Sequence, residues 1–352
     1  MKTKNKKLAV IIFIALFSAV PLIIFFTRSP VLVVADQSSV LLYGASRVRS
    51  DTLKSSLTLF RRVKPVIAAD DAGDDILQFV IAEVSSRPFC VLFPLRFAKT
   101  AFFYREQHPE IPVIIMEGRH PSEASPSAFA IGSKQDDYFL YKTDIAADFY
   151  NAGLAASFLI DSIMSGNNKN DAKTNDEKSE KSEKKKAGES EASEKSKKNE
   201  KGGTCVIFME AQIQRQAREA FLKAIQDQEK TIQTHFFTSF SQNQISRISD
   251  ISCAVLAGQG ADFLEKYSDI PVIFFTWMDL SAIPANVTLV FNDSPWVQTV
   301  PAVRMAAAGV QNGQIPSIPS AFKFNKAGIE ILQKMKKTGA GSENTKVKKN
   351  DV

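Results

Sequence analysis

Beyond residue 30 this chain follows a rhythm that leaves few folds open to it. Apolar runs of strand length alternate with amphipathic runs of helix length, and the series plays through twice. The first set of strand candidates is 31–35 (VLVVA), 65–69 (PVIAA), 89–93 (FCVLF), 112–116 (PVIIM) and 138–142 (YFLYK), with helices expected near 47–62, 74–86 and 98–108. The second set is 205–209 (CVIFM), 234–238 (THFFT), 253–257 (CAVLA), 272–276 (VIFFT) and 287–291 (VTLVF), with helices near 212–228, 243–250 and 260–267. Strands that are apolar throughout need cover on both faces. The expectation is therefore α/β: two doubly wound parallel-sheet lobes after an N-terminal transmembrane helix.

Between the two sets, residues 144–165 carry the strongest helical pattern. Ile145, Phe149, Ala152, Ala156, Leu159 and Ile163 recur every three or four positions, and Asp144 stands where a helix start is capped. Residues 167–203 hold no aromatic or branched aliphatic side chain, so they cannot bury enough surface to offset their conformational entropy. The sequence predicts a disordered surface insertion there, and a disordered tail over 338–352.

Residues 8–26 (LAVIIFIALFSAVPLIIFF) carry no charge and follow Lys2, Lys4, Lys6 and Lys7. At about 1.5 Å per residue they reach close to the ~30 Å of a bilayer's hydrocarbon layer. Cleavage after Val33-Val34-Ala35 would remove the first core strand, which favours an uncleaved anchor over a signal peptide. The preceding lysines place the N-terminus in the cytoplasm and the bulk outside. The expected organisation is 1–29 cytoplasmic tip and anchor, 30–143 lobe 1, 144–290 lobe 2, 291–337 a return segment on lobe 1 and the hinge, and 338–352 tail. The expected location is the bacterial inner membrane, single-pass, with the C-terminal domain in the periplasm.

The net charge of +6 does not mark a nucleic-acid surface. Much of the positive charge sits at the first eight residues, in the insertion and after residue 333, which leaves the folded body slightly acidic, so no nucleic-acid partner is expected. Cys90, Cys205 and Cys253 each lie inside an apolar run with no Cys-x-x-Cys spacing, and read as small core side chains. His108, His120 and His235 have no metal-ligand spacing, so no metal and no cofactor are expected. The chain has no phosphate-binding Gly-x-x-x-x-Gly-Lys loop, no Gly-x-Ser-x-Gly elbow and no His-Glu-x-x-His pair. Ser320-Ala-Phe-Lys323 and Lys337-Thr-Gly339 echo penicillin-binding enzymes without the intervening Ser-Asp-Asn. The reading is non-enzymatic.

In open α/β sheets ligands sit beyond the carboxyl ends of the strands. From lobe 1 that rule selects Asp36, Tyr43, Asp70 with Asp71, Phe97, Glu117 and Arg119. From lobe 2 it selects Glu210 with Gln212, Gln259, Trp277, Asp279, Asn292, Asp293 and Trp296. Aromatic faces can stack on a sugar or base, and carboxylates accept hydroxyl hydrogen bonds. Each residue also has a plainer reading as a loop or cap residue; Asp70, Asp71, Asp74 and Asp75 together suit the start of the next helix.

Three segments carry a family likeness: YKTDIAADFYNAGLAASFLIDSIMSG (141–166), IFMEAQIQRQAREAFLKAIQDQ (207–228) and VTLVFNDSPWVQTVPAVRMAAAGVQNGQIPS (287–317). Over about 31–335 the chain resembles the type I periplasmic binding proteins, which include ribose- and galactose-type receptors and basic-membrane-protein nucleoside receptors. In that likeness Asp144 opens the second-lobe helix, and Asn292 and Asp293 stand before the helix that returns to lobe 1. The resemblance implies a small-molecule ligand of sugar or nucleoside class held between two lobes, and an ABC permease as partner. The retained anchor and the insertion at 167–203 depart from the family pattern. A ligand-free interaction protein on the same scaffold is the alternative, and a glycosyltransferase-like enzyme a weaker one.

Overall fold

A computed structural model of the chain describes residues 20–69, 73–118, 138–176, 202–277, 286–322 and 325–338. The end of the N-terminal apolar run forms a helix, α1 (20–27). Lobe 1 then winds through β1 (Val31–Asp36), α2 (Gln37–Tyr43), α3 (Ala45–Leu59), β2 (Val63–Ala68), α4 (Asp74–Val84), β3 (Cys90–Pro94), α5 (Ala98–Gln107), β4 (Val113–Glu117) and β5 (Phe139–Thr143). Lobe 2 follows with α6 (Ile145–Asp176), β6 (Thr204–Met209), α7 (Gln214–Asp227), β7 (Gln233–Phe237), α8 (Gln242–Ile245), β8 (Ile251–Ala257), α9 (Ala261–Lys266), β9 (Val272–Phe275) and β10 (Val287–Asn292). The chain closes with α10 (Pro295–Ala307), β11 (Asn312–Ile315), β12 (Ile318–Ala321) and α11 (Lys326–Lys337).

The two sheets have the same winding. Their strand orders are β11-β5-β4-β3-β1-β2 and β12-β10-β9-β8-β6-β7. Every pairing in the first is parallel, and in the second only β10 with β12 is antiparallel. Each sheet is buried on both faces: β1, β3 and β6 have no residue facing water. One lobe 1 core lies under α4 and α5, the other under α2, α3 and α10. Cys90, Cys205 and Cys253 are free thiols buried among these apolar residues.

Helix α6 shows how the crossing into lobe 2 is fixed. Asp144 caps it by accepting the Ala147 N–H at 2.9 Å. Its apolar stripe lies on α7 so closely that a side chain at Gly153 would stand 2.8 Å from both the Phe221 carbonyl oxygen and the Ala224 Cβ. Glycine is what permits that approach.

Three expectations need correction. Helix α6 runs to Asp176, ten residues into the stretch expected to be disordered, because lengthening an existing helix needs no new nucleus and adds one hydrogen bond per residue. At the other end of that stretch Gly203 accepts the Gln233 N–H at 3.0 Å, and residues 177–201 lie outside the described residues. The return segment does not belong to lobe 1 alone: α10 and β11 join it, but β12 pairs with β10 and α11 packs on α6, both in lobe 2. The helix expected near 243–250 is the single turn α8. Among the described residues no helix is long and apolar enough to cross a membrane; the expected anchor falls mostly on residues 1–19, outside them. Residues 339–352 of the expected tail are also outside.

Candidate ligand cleft between the lobes

A 2-1-3-4-5 strand order reverses direction between its first and third strands, and the loops leaving those two strands diverge to form a crevice. In lobe 1 this is the gap between β1 and β3; in lobe 2 it is the gap between β6 and β8. An acidic residue closes β1 and another directly follows β6. In lobe 1 the Asp36 carboxylate accepts the Ser39 N–H, accepts the Ser39 hydroxyl at 2.8 Å, and forms an ion pair with Arg96 from the loop after β3. The Arg96 guanidinium lies 4.6 Å from the centre of the Phe97 ring. In lobe 2 the Glu210 carboxylate lies against the turn after β8, where Gly258 and Gly260 hold left-handed backbone (φ 83° and 93°). A Cβ at Gly258 would stand 2.8 Å from a Glu210 carboxylate oxygen, so the glycine makes room for the acid as well as for the turn.

The carboxyl edges of the two sheets meet across side-chain bonds. Asn292, at the end of β10, donates its amide to the Tyr43 hydroxyl at 2.7 Å, and that hydroxyl donates to Asp51 at 2.6 Å. Burial, with Asp51 beside it, pushes the Tyr43 phenol above its ordinary range. Asp293 accepts from Thr143 of lobe 1 at 3.2 Å and from Thr276 of lobe 2 at 3.0 Å. Asp148 accepts the backbone N–H of Ser317 at 2.6 Å and its hydroxyl at 2.5 Å. Burial pushes the Asp148 carboxyl well above the usual carboxylate range, the two Ser317 bonds oppose that, and Asp293 and Asp144 add to it. These bonds sit at the three chain crossings, 143–145, 292–295 and 315–318, and form the hinge.

The residues selected from sequence divide by position. Phe97, Glu117, Glu210 and Asn292 are half-buried at strand ends, Gln259 is exposed in the turn after β8, and Glu117 pairs with Lys142 at 2.9 Å. Asp144 serves as a helix cap. Trp277 and Trp296 correct the expectation of a stacking surface. Trp277 is 1 % exposed, with its ring centre 4.7 Å from that of Phe275 and 6.0 Å from that of Phe149, and Trp296 is 2 % exposed in the lobe 1 core. An indole enclosed on both faces by protein has none left for a ligand. Asp36 and Asp293 are likewise enclosed, with their carboxylates engaged as cap, ion pair and hinge tie. Asp70, Arg119 and Asp279, with Asp71, lie outside the described residues. Sequence reading passed over Arg96, Thr276 and the Asp148–Ser317 tie. Arg96 stands beside the selected Phe97 and follows from the same strand-end rule; the others have no local signal.

No sequence-family profile matches the chain, and no curated protein matches it. Among solved structures, it is similar to a transcriptional activator of the comK gene from Bacillus halodurans, at 13% identity over 90% of this chain and 98% of that one, with a TM-score of 0.46. It is similar to an ABC transporter solute-binding protein from Conexibacter woesei at 8% identity, over 89% of this chain and 97% of that one, TM-score 0.46. A third is a periplasmic solute-binding protein from Actinobacillus succinogenes with bound D-allose, at 11% identity over 86% and 100%, TM-score 0.42. The repeated winding and the three crossings are the observations that decide the architecture. The chain resembles the type I periplasmic binding proteins. At the lobe 1 switch point stand Arg96 and Phe97, and at the lobe 2 switch point Glu210 and Gln259.

Proposed function

We propose that this chain is a membrane-anchored extracytoplasmic binding protein that captures a small polar solute between its lobes. Residues 8–26 hold it in the bacterial inner membrane, the body lies in the periplasm, and an ABC permease is its partner. What supports the reading is the pair of switch points, each with an acid at the end of its first strand, in two sheets tied by side-chain bonds where the chain crosses between them. A cation over an aromatic ring at one switch point and a carboxylate at the other suit a ligand with hydroxyl groups and a flat or apolar face, which fits sugars and nucleosides. Two lobes closing on such a ligand bury it without catalytic groups.

The test is a melting-temperature screen of the purified full chain in detergent against sugars, nucleosides and amino acids. A ligand present at about 100 times its Kd adds about 2.7 kcal/mol to stability, well within reach of a thermal shift. A shift that Arg96→Ala and Glu210→Ala each abolish supports capture. No shift with any member of the three classes removes the reading.

A second reading, a ligand-free interaction protein on the same scaffold, draws on one observation: Asp36, Tyr43, Asn292 and Asp293 are already bonded to protein groups, so much of the polar lining is spent internally. Under that reading Arg96→Ala costs stability in the absence of any solute and no solute restores it.

A further inference from the structure

To water α3 turns Ser46, Arg47, Arg49, Ser50, Lys54 and Thr58 and, among them, two leucines that the lobe does not cover. Its inner face, with Val48, Thr52, Ser55 and Ser56, is buried in the lobe. Its outer face carries Leu53 (59 % exposed) and Leu57 (65 %), with Phe60 (40 %) one turn further on. The spacing of four and three makes these one stripe, about 10 Å long at 1.5 Å per residue. Exposed apolar residues that line up in this way mark a surface that something covers.

The stripe does not end at Phe60. The Phe60 ring centre lies 5.8 Å from that of Phe25 in α1, whose Val20, Leu22, Ile23, Ile24 and Phe26 are exposed in turn. The apolar surface of lobe 1 is therefore continuous with the apolar N-terminal run. Positive charge collects at the seam. Arg28 lies 5.4 Å over the Phe60 ring, Arg61 donates to the Ser29 carbonyl at 3.1 Å, and Arg62 donates to the Arg28 carbonyl at 3.5 Å. Among the described residues none of these three arginines has a carboxylate partner. Like charges gathered without counter-charge repel one another unless an anionic surface lies opposite.

We propose that the outer face of α3 and the Arg28, Arg61 and Arg62 seam rest on the anionic phospholipid surface into which the N-terminal run inserts. Leucine and phenylalanine enter the headgroup boundary and the guanidinium groups meet lipid phosphates, the pattern of an interfacial helix. Lobe 1 is then clamped to the bilayer by two attachments, and lobe 2 is the lobe that moves about the hinge. The inference rests on the anchoring assigned above to residues 8–26.

The experiment uses the full chain reconstituted into phosphatidylcholine vesicles with and without phosphatidylglycerol. Leu57→Cys and Leu53→Cys each place a fluorophore on the stripe, and Leu222→Cys places one on lobe 2. The native thiols are buried, so the unmodified chain supplies the blank. With phosphatidylglycerol present, the probes at 57 and 53 are quenched by lipid-borne nitroxides at least about twofold more than the probe at 222, and iodide in the water reaches them less. Arg61→Glu with Arg62→Glu brings the probe at 57 to the level of the probe at 222. A chain that floats with the vesicles while the probe at 57 stays open to iodide overturns the docking and leaves the anchor standing. Cross-linking between Leu57→Cys copies, with shielding that ignores phosphatidylglycerol, overturns it in favour of a second copy. A chain that does not float with the vesicles overturns the anchoring itself, and the docking with it.

Discussion

The two lobes share a winding and differ in what they do with large apolar side chains. Lobe 2 turns its aromatics inward: Phe149, Phe275 and Phe291 stack face to face at 5.4 and 4.8 Å, Trp277 leans on Phe275, and Phe208 sits among Phe237, Phe240 and Phe263. Lobe 1 fills its sheet with Val31–Val34, Val66, Ile114 and Ile115 and leaves Leu41, Leu53, Leu57, Phe60, Ile67, Ile76 and Phe79 in water. The same topology thus makes one half with three large apolar side chains in water, Leu222, Ile318 and Ile329, and one half that leaves many more there, on both of its helical layers. A scaffold of this kind fixes where strand ends and switch points lie; it does not fix which faces are finished.

The comparison breaks most sharply in the lobe 2 stack. Phe275→Ala removes a ring with no solvent exposure from between Phe149, Phe291 and Trp277. The expected loss is about 3–5 kcal/mol of unfolding free energy, since the neighbours relax only partly into the space. Urea titration followed by tryptophan fluorescence measures it, because Trp277 reports on this stack directly. A loss under about 1 kcal/mol would mean that lobe 2 is no more tightly closed than lobe 1.

Between the lobes the hinge ties come next in size. Asp293→Ala leaves Thr143 and Thr276 without their shared acceptor, and about 1–3 kcal/mol is expected to go. If the lobes then unfold in two steps instead of one, Asp293 is what couples them. Asp148→Asn acts in the other direction. Because burial raises the Asp148 carboxyl in the folded chain, the folded state holds a proton that the unfolded chain releases. The stability from this group is complete below the ordinary carboxylate value and declines as pH rises through the raised folded value. An asparagine carries no such loss and keeps the Ser317 N–H acceptor, so the variant gains on the parent as pH rises from the ordinary carboxylate range through neutrality. Denaturant midpoints across that range check the sign.

What the sequence revealed follows from how local each signal is. All ten strands of the two doubly wound sets fall within about two residues of expectation; a central parallel strand such as β1, β3 or β6 is apolar almost throughout and announces itself, and edge strands such as β2 and β7 follow from the spacing of the rest. Helix α2 does have a local signal: Asp36-Gln-Ser-Ser39 spells a helix start, and the carboxylate selected as a ligand group caps it instead. Strand β12, by contrast, has no signal of its own. Four residues, IPSA, carry no mark of which sheet they will join; only pairing with β10 decides it. The two tryptophans show the same limit at the site. The strand-end rule locates a residue along the sheet axis but not whether its side chain turns outward or, like Trp277, folds back over Phe275.

The smallest expected effect tests the open half. Leu57→Gln replaces a side chain that is 65 % exposed and lies on no core cluster, so the unfolding free energy of the full chain in detergent should change by no more than about 0.5 kcal/mol. Set against the Phe275 variant, that near-zero value says that the stripe on α3 contributes nothing to holding lobe 1 together. Urea titration of both variants side by side gives the contrast in one experiment. A loss for Leu57→Gln comparable to that for Phe275→Ala would mean that the leucine is covered by the chain itself, and lobe 1 would then be as closed as lobe 2. With no such loss, the apolar stripe is retained at a position where a polar residue would fold equally well, and its use lies outside the folding of the lobe.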